Sequence, residues 1–324
     1  MRLARRKLLQ CLPAAALAAR FATAAVAPIR IGVLRFGTVS WELDVLQAHG
    51  LDTVDGIAVT PVEFASSPAT QVALQAHEVD MVALDWLWVS RQRATGADWT
   101  FAPLSSAVGA LIVPADSPIR AVPDLAGKRL GIAGSPLDKS WLILRAYAKK
   151  RFGLDIDAAA EKTFAAPPLL DQVLAAGRLD AALTFWPYAA RAEAAGARSL
   201  VDVGAMLEGL GVPKTVPMVG YVFSEAWARS RSEEVGHFLA AAAAARSLLA
   251  SSDDEWQRIR PLTEAKTDAE LDRLRDWYRS GVPGSFGPQA AEAADQLYRL
   301  LREAGGAELT GPSPELAKGT FWTG

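Results

Sequence analysis

Residues 124–135, with the sequence DLAGKRLGIAGS, contain the transition that decides the fold. A short helical turn ends at Gly127, and the apolar run at 129–133 predicts a strand. The loop 134–139 follows, and its small and polar residues lead into a helix predicted over 140–152. A strand that continues through such a loop into a helix is the unit from which α/β sheets are built. The stretch therefore predicts an α/β fold.

The sequence before this stretch has the same order of strand, loop and helix. Short runs of β-branched and apolar residues alternate there with segments of helical periodicity. The predicted elements are strands at 29–34, 57–64, 81–84 and 107–114, and helices at 41–49 and 69–77. We expect the strand at 107–114 to lead out of a first lobe, and the helical turn before Gly127 to open a second.

The sequence after this stretch continues the pattern and then becomes helical. A helix opens at Pro167, a strand follows at 180–184, and the segment 218–223 predicts a strand that returns to the first lobe. The remaining sequence is helical, and the segments 252–255 and 267–270 match the capping box, in which side chains bond the free amides of a helix start. We expect this helical tail to close the first lobe.

The length of 324 residues favours two domains, since one domain usually takes about 100 to 200 residues. We assign residues 28–115 and 217–324 to lobe 1, and residues 116–216 to lobe 2. Two crossing strands then join two α/β lobes into a hinged clamshell. Such a geometry is suited to closing around a ligand.

The first 27 residues differ from the rest of the chain. Basic residues precede an apolar, alanine-rich stretch at 8–19, and small residues follow it, as in a signal peptide. The pair Arg5 and Arg6 partly matches a twin-arginine export signal, which leaves the export route open. Cys11 precedes most of the apolar stretch, which disfavours a lipid anchor. We expect residues 1–27 to be a signal peptide and the mature protein to be periplasmic.

Removal of this leader changes the composition of the chain. Residues 1–27 carry five basic residues and no acidic one, so the formal charge of −2 becomes −7. An acidic chain without a basic stripe argues against nucleic acid as a partner. The single cysteine, Cys11, lies in the leader, which leaves the mature protein without disulfides or thiol chemistry. No later stretch approaches the roughly 18 apolar residues of a membrane span, so we expect a soluble protein, and we expect a monomer.

The sequence contains few residues that an enzyme would use. His49, His77 and His237 match no metal-ligand spacing, and we expect neither a metal ion nor another cofactor. There is no Gly-x-Ser-x-Gly motif, no P-loop and no Gly-x-Gly-x-x-Gly after a strand. We therefore expect a binding protein without catalytic residues. The alternatives are an enzyme on the same fold, desulfinase-like or cofactor-biosynthetic, and a ligand sensor for a membrane receptor.

Two segments together resemble a known family. Residues 124–135 are followed about fifty residues later by 177–188, GRLDAALTFWPY. This order and spacing are similar to those of the nitrate/sulfonate/taurine (NitT/TauT) family of ABC transporter substrate-binding proteins. Members carry a Gly/Ser loop after the first strand of the second lobe and an aromatic-Pro-Tyr element after a later strand. The resemblance covers roughly residues 29–300.

The resemblance implies a type II periplasmic binding fold, a ligand held between the lobes and the permease of an ABC importer as partner. Two departures argue against the small anion that such proteins often bind. Trp186 precedes the Pro of the aromatic-Pro-Tyr element, where the family often has an acidic residue. The loop 134–139 carries Pro136 and Asp138 where small hydroxyl residues are frequent. The ligand is left open between sulfonates, taurine-like zwitterions, nitrate and heterocycles such as pyrimidine vitamin precursors, with an organic ligand favoured over nitrate.

Three loops are candidates for holding this ligand. In open α/β sheets, ligands collect outside the carboxyl ends of strands, where loops lead into helix N-termini. The loops 35–41, 66–70 and 134–140 have this position and offer backbone amides, hydroxyl groups and two basic side chains that suit an anionic group. The alternative for each hydroxyl is that it only caps its own helix. The candidate residues in these loops are Arg35, Phe36, Trp41, Ser66, Ser67, Thr70, Gly134, Ser135 and Lys139.

Two further positions add an acidic residue and aromatic rings. Asp85 and Trp86 follow the strand 81–84, and Asp85 either accepts a hydrogen bond from an amine or ring N–H of the ligand or caps a helix and faces water. Trp86, Trp186 and Tyr188 lie near predicted strand ends, where flat apolar walls suit an organic ligand, although buried aromatic residues more often pack in the core. Trp186 and Tyr188 are the strongest of these candidates because the family motif also contains them.

Overall fold

The computed structural model of the chain describes residues 27–52, 56–284 and 286–324. The predicted signal peptide lies outside the described residues except for Ala27. The strands are β1 (Ile29–Leu34), β2 (Val59–Phe64), β3 (Met81–Leu84), β4 (Trp99–Ser105), β5 (Gly109–Val113), β6 (Arg129–Ala133), β7 (Glu161–Ala165), β8 (Ala181–Phe185), β9 (Arg198–Asp202) and β10 (Val219–Ser224).

Helices alternate with the strands in the first two thirds of the chain and dominate the last third. They are α1 (Val39–Ala48), α2 (Ser67–Gln75), α3 (Trp86–Arg93), α4 (Lys139–Phe152), α5 (Ile156–Ala159), α6 (Pro167–Ala175), α7 (Trp186–Ala194), α8 (Val203–Leu210), α9 (Glu225–Ser230), α10 (Ser232–Ser251), α11 (Asp253–Arg258), α12 (Arg260–Thr263), α13 (Asp268–Ser280), α14 (Pro288–Gly305) and α15 (Ala307–Thr310). No helix of the described residues has the length and apolar composition needed to cross a membrane.

The strands form two five-stranded sheets. The first has the order β2-β1-β3-β10-β4, and the second has the order β7-β6-β8-β5-β9. In the first sheet β1 pairs in parallel with β2 and β3, and β10 pairs antiparallel with β3. In the second sheet β6 pairs in parallel with β7 and β8, and β5 pairs antiparallel with β8. Two mixed sheets flanked by helices confirm the predicted α/β class. We infer that each sheet is the centre of one lobe.

The strand predicted at 107–114 belongs to the second sheet, which corrects its assignment to the first lobe. β5 pairs antiparallel with β8 and β9, and all five of its residues are buried. A strand that is apolar on both faces is stable only inside a sheet covered on both sides, and β5 takes such a position between β8 and β9. The first crossing between the sheets therefore lies at 106–108, ahead of the predicted boundary at 115. The second lies in the segment 211–218, which contains the predicted boundary at 216.

The helical tail, which the sequence assigned to the first lobe, contacts both halves of the molecule, one half being built around each sheet. α13 packs against α7, and α14 packs against α4; both α4 and α7 follow strands of the second sheet. The indole nitrogen of Trp277 in α13 donates a hydrogen bond of 2.9 Å to Glu193 in α7. The end of the chain returns to the first sheet, where Phe321 bridges to Phe101 of β4. The tail therefore joins the two halves.

Candidate functional site

A cavity lies between the two sheets, and residues of both sheets form its wall. Its volume is about 1040 Å³, including a mouth that opens to solvent. Leu34, Leu84 and Phe185, at the carboxyl ends of β1, β3 and β8, line it. Ligands of open α/β sheets bind at this end of the strands, where loops continue into helix N-termini. The cavity is therefore the candidate site.

The first wall is formed by the loop after β1 and the first turn of α2. Phe36 lies in that loop, and Ser67 and Thr70 lie at the start of α2. The hydroxyl of Thr70 donates to the carbonyl of Ser67 at 2.8 Å, so its proton is used within the helix. The side chain of Ser67 makes no hydrogen bond that involves another described residue, which leaves its hydroxyl available to a ligand.

Asp85 follows β3, and the sequence left open whether it contacts the ligand or caps a helix. One of its carboxylate oxygens caps α3 by accepting a hydrogen bond of 2.7 Å from the backbone N–H of Trp88. The residue is only 8 % exposed, and it lines the cavity. The carboxylate is therefore a helix cap, but it faces the cavity and not bulk water.

The opposite wall comes from the second sheet and carries a close acid–base pair. Asp138 caps α4 through a hydrogen bond of 2.8 Å from the backbone N–H of Ser140. The ammonium of Lys139 lies 3.8 Å from the other oxygen of Asp138 and 5.2 Å from the centre of the Phe185 ring. Burial raises the pKa of the Asp138 carboxyl, and the neighbouring Lys139 opposes that shift. Both side chains are almost fully withdrawn from solvent.

The floor of the cavity contains a buried ion pair. Glu42 of α1 accepts a hydrogen bond of 3.1 Å from Arg246 of α10 and one of 2.8 Å from the hydroxyl of Tyr278. Glu42 and Tyr278 both line the cavity. Burial raises the pKa of Glu42, while the charge of Arg246 and the hydrogen bond from Tyr278 lower it. This arrangement satisfies both oxygens of the carboxylate in a place that excludes water.

Aromatic rings meet across the cavity. Phe36 of the first half and Tyr188 of the second pack edge to face, with ring centres 6.4 Å apart. Trp186 packs edge to face against Trp41 at 5.8 Å and against Tyr278 at 6.2 Å. These contacts bring the two walls together on apolar surfaces, which suits a ligand with an organic body.

The structure brings seven of the thirteen predicted site residues together at the cavity. They are Phe36, Ser67, Thr70, Asp85, Lys139, Trp186 and Tyr188. The other predicted residues do not line it. These are Arg35, Trp41, Ser66, Trp86, Gly134 and Ser135.

Two of the predicted tryptophans belong to the core instead. Trp41 is 3 % exposed and donates through its indole nitrogen to the carbonyl of Leu262 at 3.2 Å. Trp86 is fully buried and donates to the carbonyl of Pro217 at 3.1 Å. Neither residue lines the cavity, and each indole N–H bonds a carbonyl elsewhere in the protein.

The other four residues that do not line the cavity are each held elsewhere by local contacts or exposure. The Arg35 side chain is 72 % exposed and lies 3.5 Å from Glu63 at the surface. Ser66 caps α2, and the Ser135 hydroxyl accepts a hydrogen bond of 3.3 Å from Leu137. Gly134 has a φ of 93°, and its N–H donates to the carbonyl of Ala165. Its conformation turns the chain out of β6 without placing a group in the cavity.

The cavity is also lined by residues that are not among the thirteen candidates, of which Glu42, Asp138, Phe185 and Tyr278 are the most important. Glu42 lies between apolar neighbours in α1, and an acidic residue on the buried side of a helix is a signal of a paired carboxylate. Tyr278 comes from α13, more than two hundred residues later in the chain, and no local pattern indicates that position. Among the described residues, no group of three or more His, Cys, Asp and Glu side chains is arranged to hold a metal ion.

The chain matches a protein-family model over most of its length. The model describes proteins that are NMT1/THI5 like, and it matches residues 47–255. No curated protein matches the chain.

Several solved structures have the same fold. The alkanesulfonate-binding protein SsuA from Xanthomonas axonopodis pv. citri, bound to MOPS, is 23 % identical with a TM-score of 0.71, and the alignment covers 91 % of this chain and 98 % of that one. The periplasmic aliphatic sulphonate binding protein SsuA from Escherichia coli is 21 % identical with a TM-score of 0.69, covering 91 % and 97 %. A Candida albicans protein described as having the generic periplasmic binding protein fold is 12 % identical with a TM-score of 0.57, covering 86 % and 90 %. The predicted periplasmic binding protein fold is confirmed.

Proposed function

The chain belongs to the NMT1/THI5-like family, and from this premise we propose that it is an exported solute-binding protein that delivers a small molecule to the permease of an ABC importer. Its ligand binds in the cavity between the two sheets. The protein acts in the periplasm and binds its ligand without converting it.

The observation that carries this proposal is the position of the cavity. It lies at the carboxyl ends of strands from two sheets, and the chain crosses between these sheets at 106–108 and 211–218. Two halves connected by such short crossings are able to rotate about them and enclose a ligand. The named functions of the two SsuA proteins, which bind sulfonates, agree with this class of function.

The experiment that tests the proposal combines binding with a search for turnover. The mature protein is purified gently from an exported compartment, and native mass spectrometry is used to find a co-purified small molecule. A thermal-shift screen then covers amines, sulfonates, nitrate, amino acids and heterocycles, because a ligand that binds only the folded state raises the midpoint of unfolding. Each compound that raises the midpoint is incubated with the protein and recovered for chemical analysis.

The outcomes separate the candidate functions. A compound that binds and is recovered unchanged supports the carrier. A compound that is converted would establish the enzyme alternative on the same fold. A chain with no co-purified molecule and no response to any compound contradicts the proposed function.

A further inference from the structure

The charges that face the cavity are mainly carboxylates. Glu42, Asp85 and Asp138 all line it, and their side chains are almost fully buried. Among the described residues that line the cavity, Lys139 is the one cationic side chain. Its ammonium lies beside Asp138, at 3.8 Å, so this charge is already matched by a carboxylate of the same wall. The surplus charge facing the cavity is therefore negative.

Two of the helix N-termini beside the cavity, those of α3 and α4, are occupied by carboxylates of the chain itself, whereas those of α1 and α7 carry no side-chain cap. A helix N-terminus attracts an anion through its free N–H groups and the positive end of its dipole. The N-terminus of α3 is already capped by Asp85, and that of α4 is already capped by Asp138. These two carboxylates come from opposite walls and interact electrostatically with each other. A sulfonate placed at either helix would meet a carboxylate where it needs donors.

Two buried arginines near these acids do not reverse this balance. Arg246 is bonded to Glu42 from the side of α10, and it does not line the cavity. Arg91 donates long hydrogen bonds, of 3.4 and 3.5 Å, to the carbonyls of Leu309 and Leu137, and it does not line the cavity either. Because the interaction between charges weakens with distance, a ligand in the cavity experiences the carboxylates more strongly than the arginines behind them.

Aromatic rings form much of the remaining wall, and such rings suit a positively charged ligand. Rings of Phe36, Phe185, Trp186, Tyr188 and Tyr278 line the cavity. The face of an aromatic ring carries partial negative charge and attracts a cation within about 6 Å of its centre. The Phe185 ring already has the Lys139 ammonium at 5.2 Å.

We propose that the ligand of this cavity is an organic cation, whose protonated amine or ring nitrogen lies against Asp85 and Asp138 and whose apolar body packs against the aromatic rings. This inference rests on the proposed solute-binding function and names its ligand class. It departs from the sulfonates that are named for the similar structures.

The test uses compounds that share one body and differ only in charge. The unfolding midpoint is measured at low salt with 2-phenylethylamine, 2-phenylethanol and 2-phenylethanesulfonate, and with the corresponding butyl series. We expect the amines to raise the midpoint, the alcohols to raise it less and the sulfonates to leave it unchanged. A sulfonate that raises the midpoint as much as its matched amine overturns the inference but leaves the solute-binding function intact. The same holds if the amines have no effect while an uncharged or anionic compound of the wider screen binds.

A charge-removing variant tests the residues themselves. Asn retains an oxygen that accepts the N–H of Trp88, so Asp85→Asn keeps the helix cap and removes only the charge. We expect the Kd of the amine that binds best to increase about tenfold or more, with little change in the unfolding midpoint of the free protein. The matched control is Asp202→Asn, because Asp202 caps α8 in the same way, at 2.8 Å from Ala205, and does not line the cavity. An unchanged Kd in Asp85→Asn, or an equal loss in both variants, overturns the inference.

Discussion

Glu42 and Arg246 form an ion pair in which both partners are withdrawn from water, since their side chains are 5 % and 11 % exposed. Burying two charges costs desolvation energy, and the pair is stable only because each charge is compensated by the other and by hydrogen bonds. Tyr278 supplies the second hydrogen bond to Glu42. The pair connects α1 to α10 and α13, so a single carboxylate holds three helices together beneath the cavity.

This burial predicts a large effect of removing the carboxylate. Glu42→Ala leaves Arg246 charged, buried and unpaired, and we expect the free energy of unfolding to fall by about 3 to 5 kcal/mol. Urea unfolding followed by circular dichroism measures the loss. The control is Glu63→Ala, since the Glu63 and Arg35 side chains are 63 % and 72 % exposed and such surface pairs contribute at most about 1 kcal/mol. Equal losses in the two variants would show that the buried pair has no special role.

Trp186 and Tyr188 are predicted by the same motif but differ in burial. Trp186 is 6 % exposed and packs among Trp41 and Tyr278, so Trp186→Ala should lower the free energy of unfolding by about 3 to 5 kcal/mol, as large core truncations do. Tyr188 is only partly buried, so Tyr188→Ala should weaken ligand affinity about tenfold with a smaller loss of stability. Thermal unfolding and titration of both variants check this difference; matching thermal midpoints would contradict it.

The two sheets repeat one structural element at their parallel strands. Arg30, at the second position of β1, makes paired hydrogen bonds to Asp80 and a further one to the carbonyl of His77. Arg129, at the start of β6, bonds Asp180 and the carbonyl of Gly177 in the same way. In both cases an aspartate just before one strand, β3 or β8, binds an arginine near the start of the neighbouring parallel strand, β1 or β6. The repeated contact fixes the turn that precedes β3 and β8, whose far ends reach the cavity.

This element predicts a pH dependence of stability. The hydrogen bonds from Arg129 hold the pKa of Asp180 at about 2, below its usual 3.8. A lowered pKa in the folded state stabilises the fold above pH 3.8, and this contribution is lost as the pH falls to about 2. Asp180→Asn should therefore reduce the free energy of unfolding by about 1 kcal/mol at pH 7, a small value because the pair is partly exposed to solvent. Its difference from the wild type should disappear near pH 2.

The control variant for Asp180→Asn is Asp116→Asn. Asp116 is an exposed residue of a turn, and the described residues show no ion pair with it. Urea unfolding of both variants from pH 7 down to pH 2 is the measurement. A pH-independent loss in Asp180→Asn, or a similar pH dependence in Asp116→Asn, would argue against the pairing as the cause.

On the scale of the whole molecule, the helical tail controls how the two halves are held. Arg191 of α7 donates to the carbonyl of Thr263 at 2.7 Å and pairs with Glu270 of α13 at 3.1 Å. Glu193, two residues later, accepts from Trp277 and pairs with Arg273 at 2.8 Å. Thr263 lies at the end of α12, which contacts α1 of the first half. These contacts therefore restrain the rotation of one half against the other.

We expect removal of this restraint to favour an open form. Arg191→Met keeps the length of the side chain and removes its charge and donors, so the ligand-free protein should show a larger radius of gyration by small-angle X-ray scattering. Ligand affinity should fall severalfold, because part of the binding energy must then close the molecule. The control is Arg299→Met, since Arg299 is 65 % exposed and pairs with Asp295 of its own helix, α14. Identical scattering of Arg191→Met and wild type would contradict the restraint.

The sequence by itself determined the class of fold and the ends of most strands. The alternation of short apolar runs with helical segments gave strands that the structure places at nearly the same residues, such as β1 and β6. It also indicated Lys139, Trp186 and Tyr188 as cavity residues, because loops that follow parallel strands meet at one edge of the sheet regardless of distant contacts. Local periodicity is sufficient for these results, since strand formation and loop position depend mainly on neighbours in the chain.

The tertiary structure alone decided which side chains face the cavity and which sheet each crossing strand joins. Trp41 and Trp86 lie as near to strand ends as Trp186, yet their indole groups bond carbonyls at Leu262 and Pro217, far away in the sequence. β5 joins the second sheet because β8 and β9 pair with its two edges, and all five of its residues are buried there. The partners that orient a side chain or flank a strand are distant in sequence, and the energy of those contacts exists only after the chain has folded.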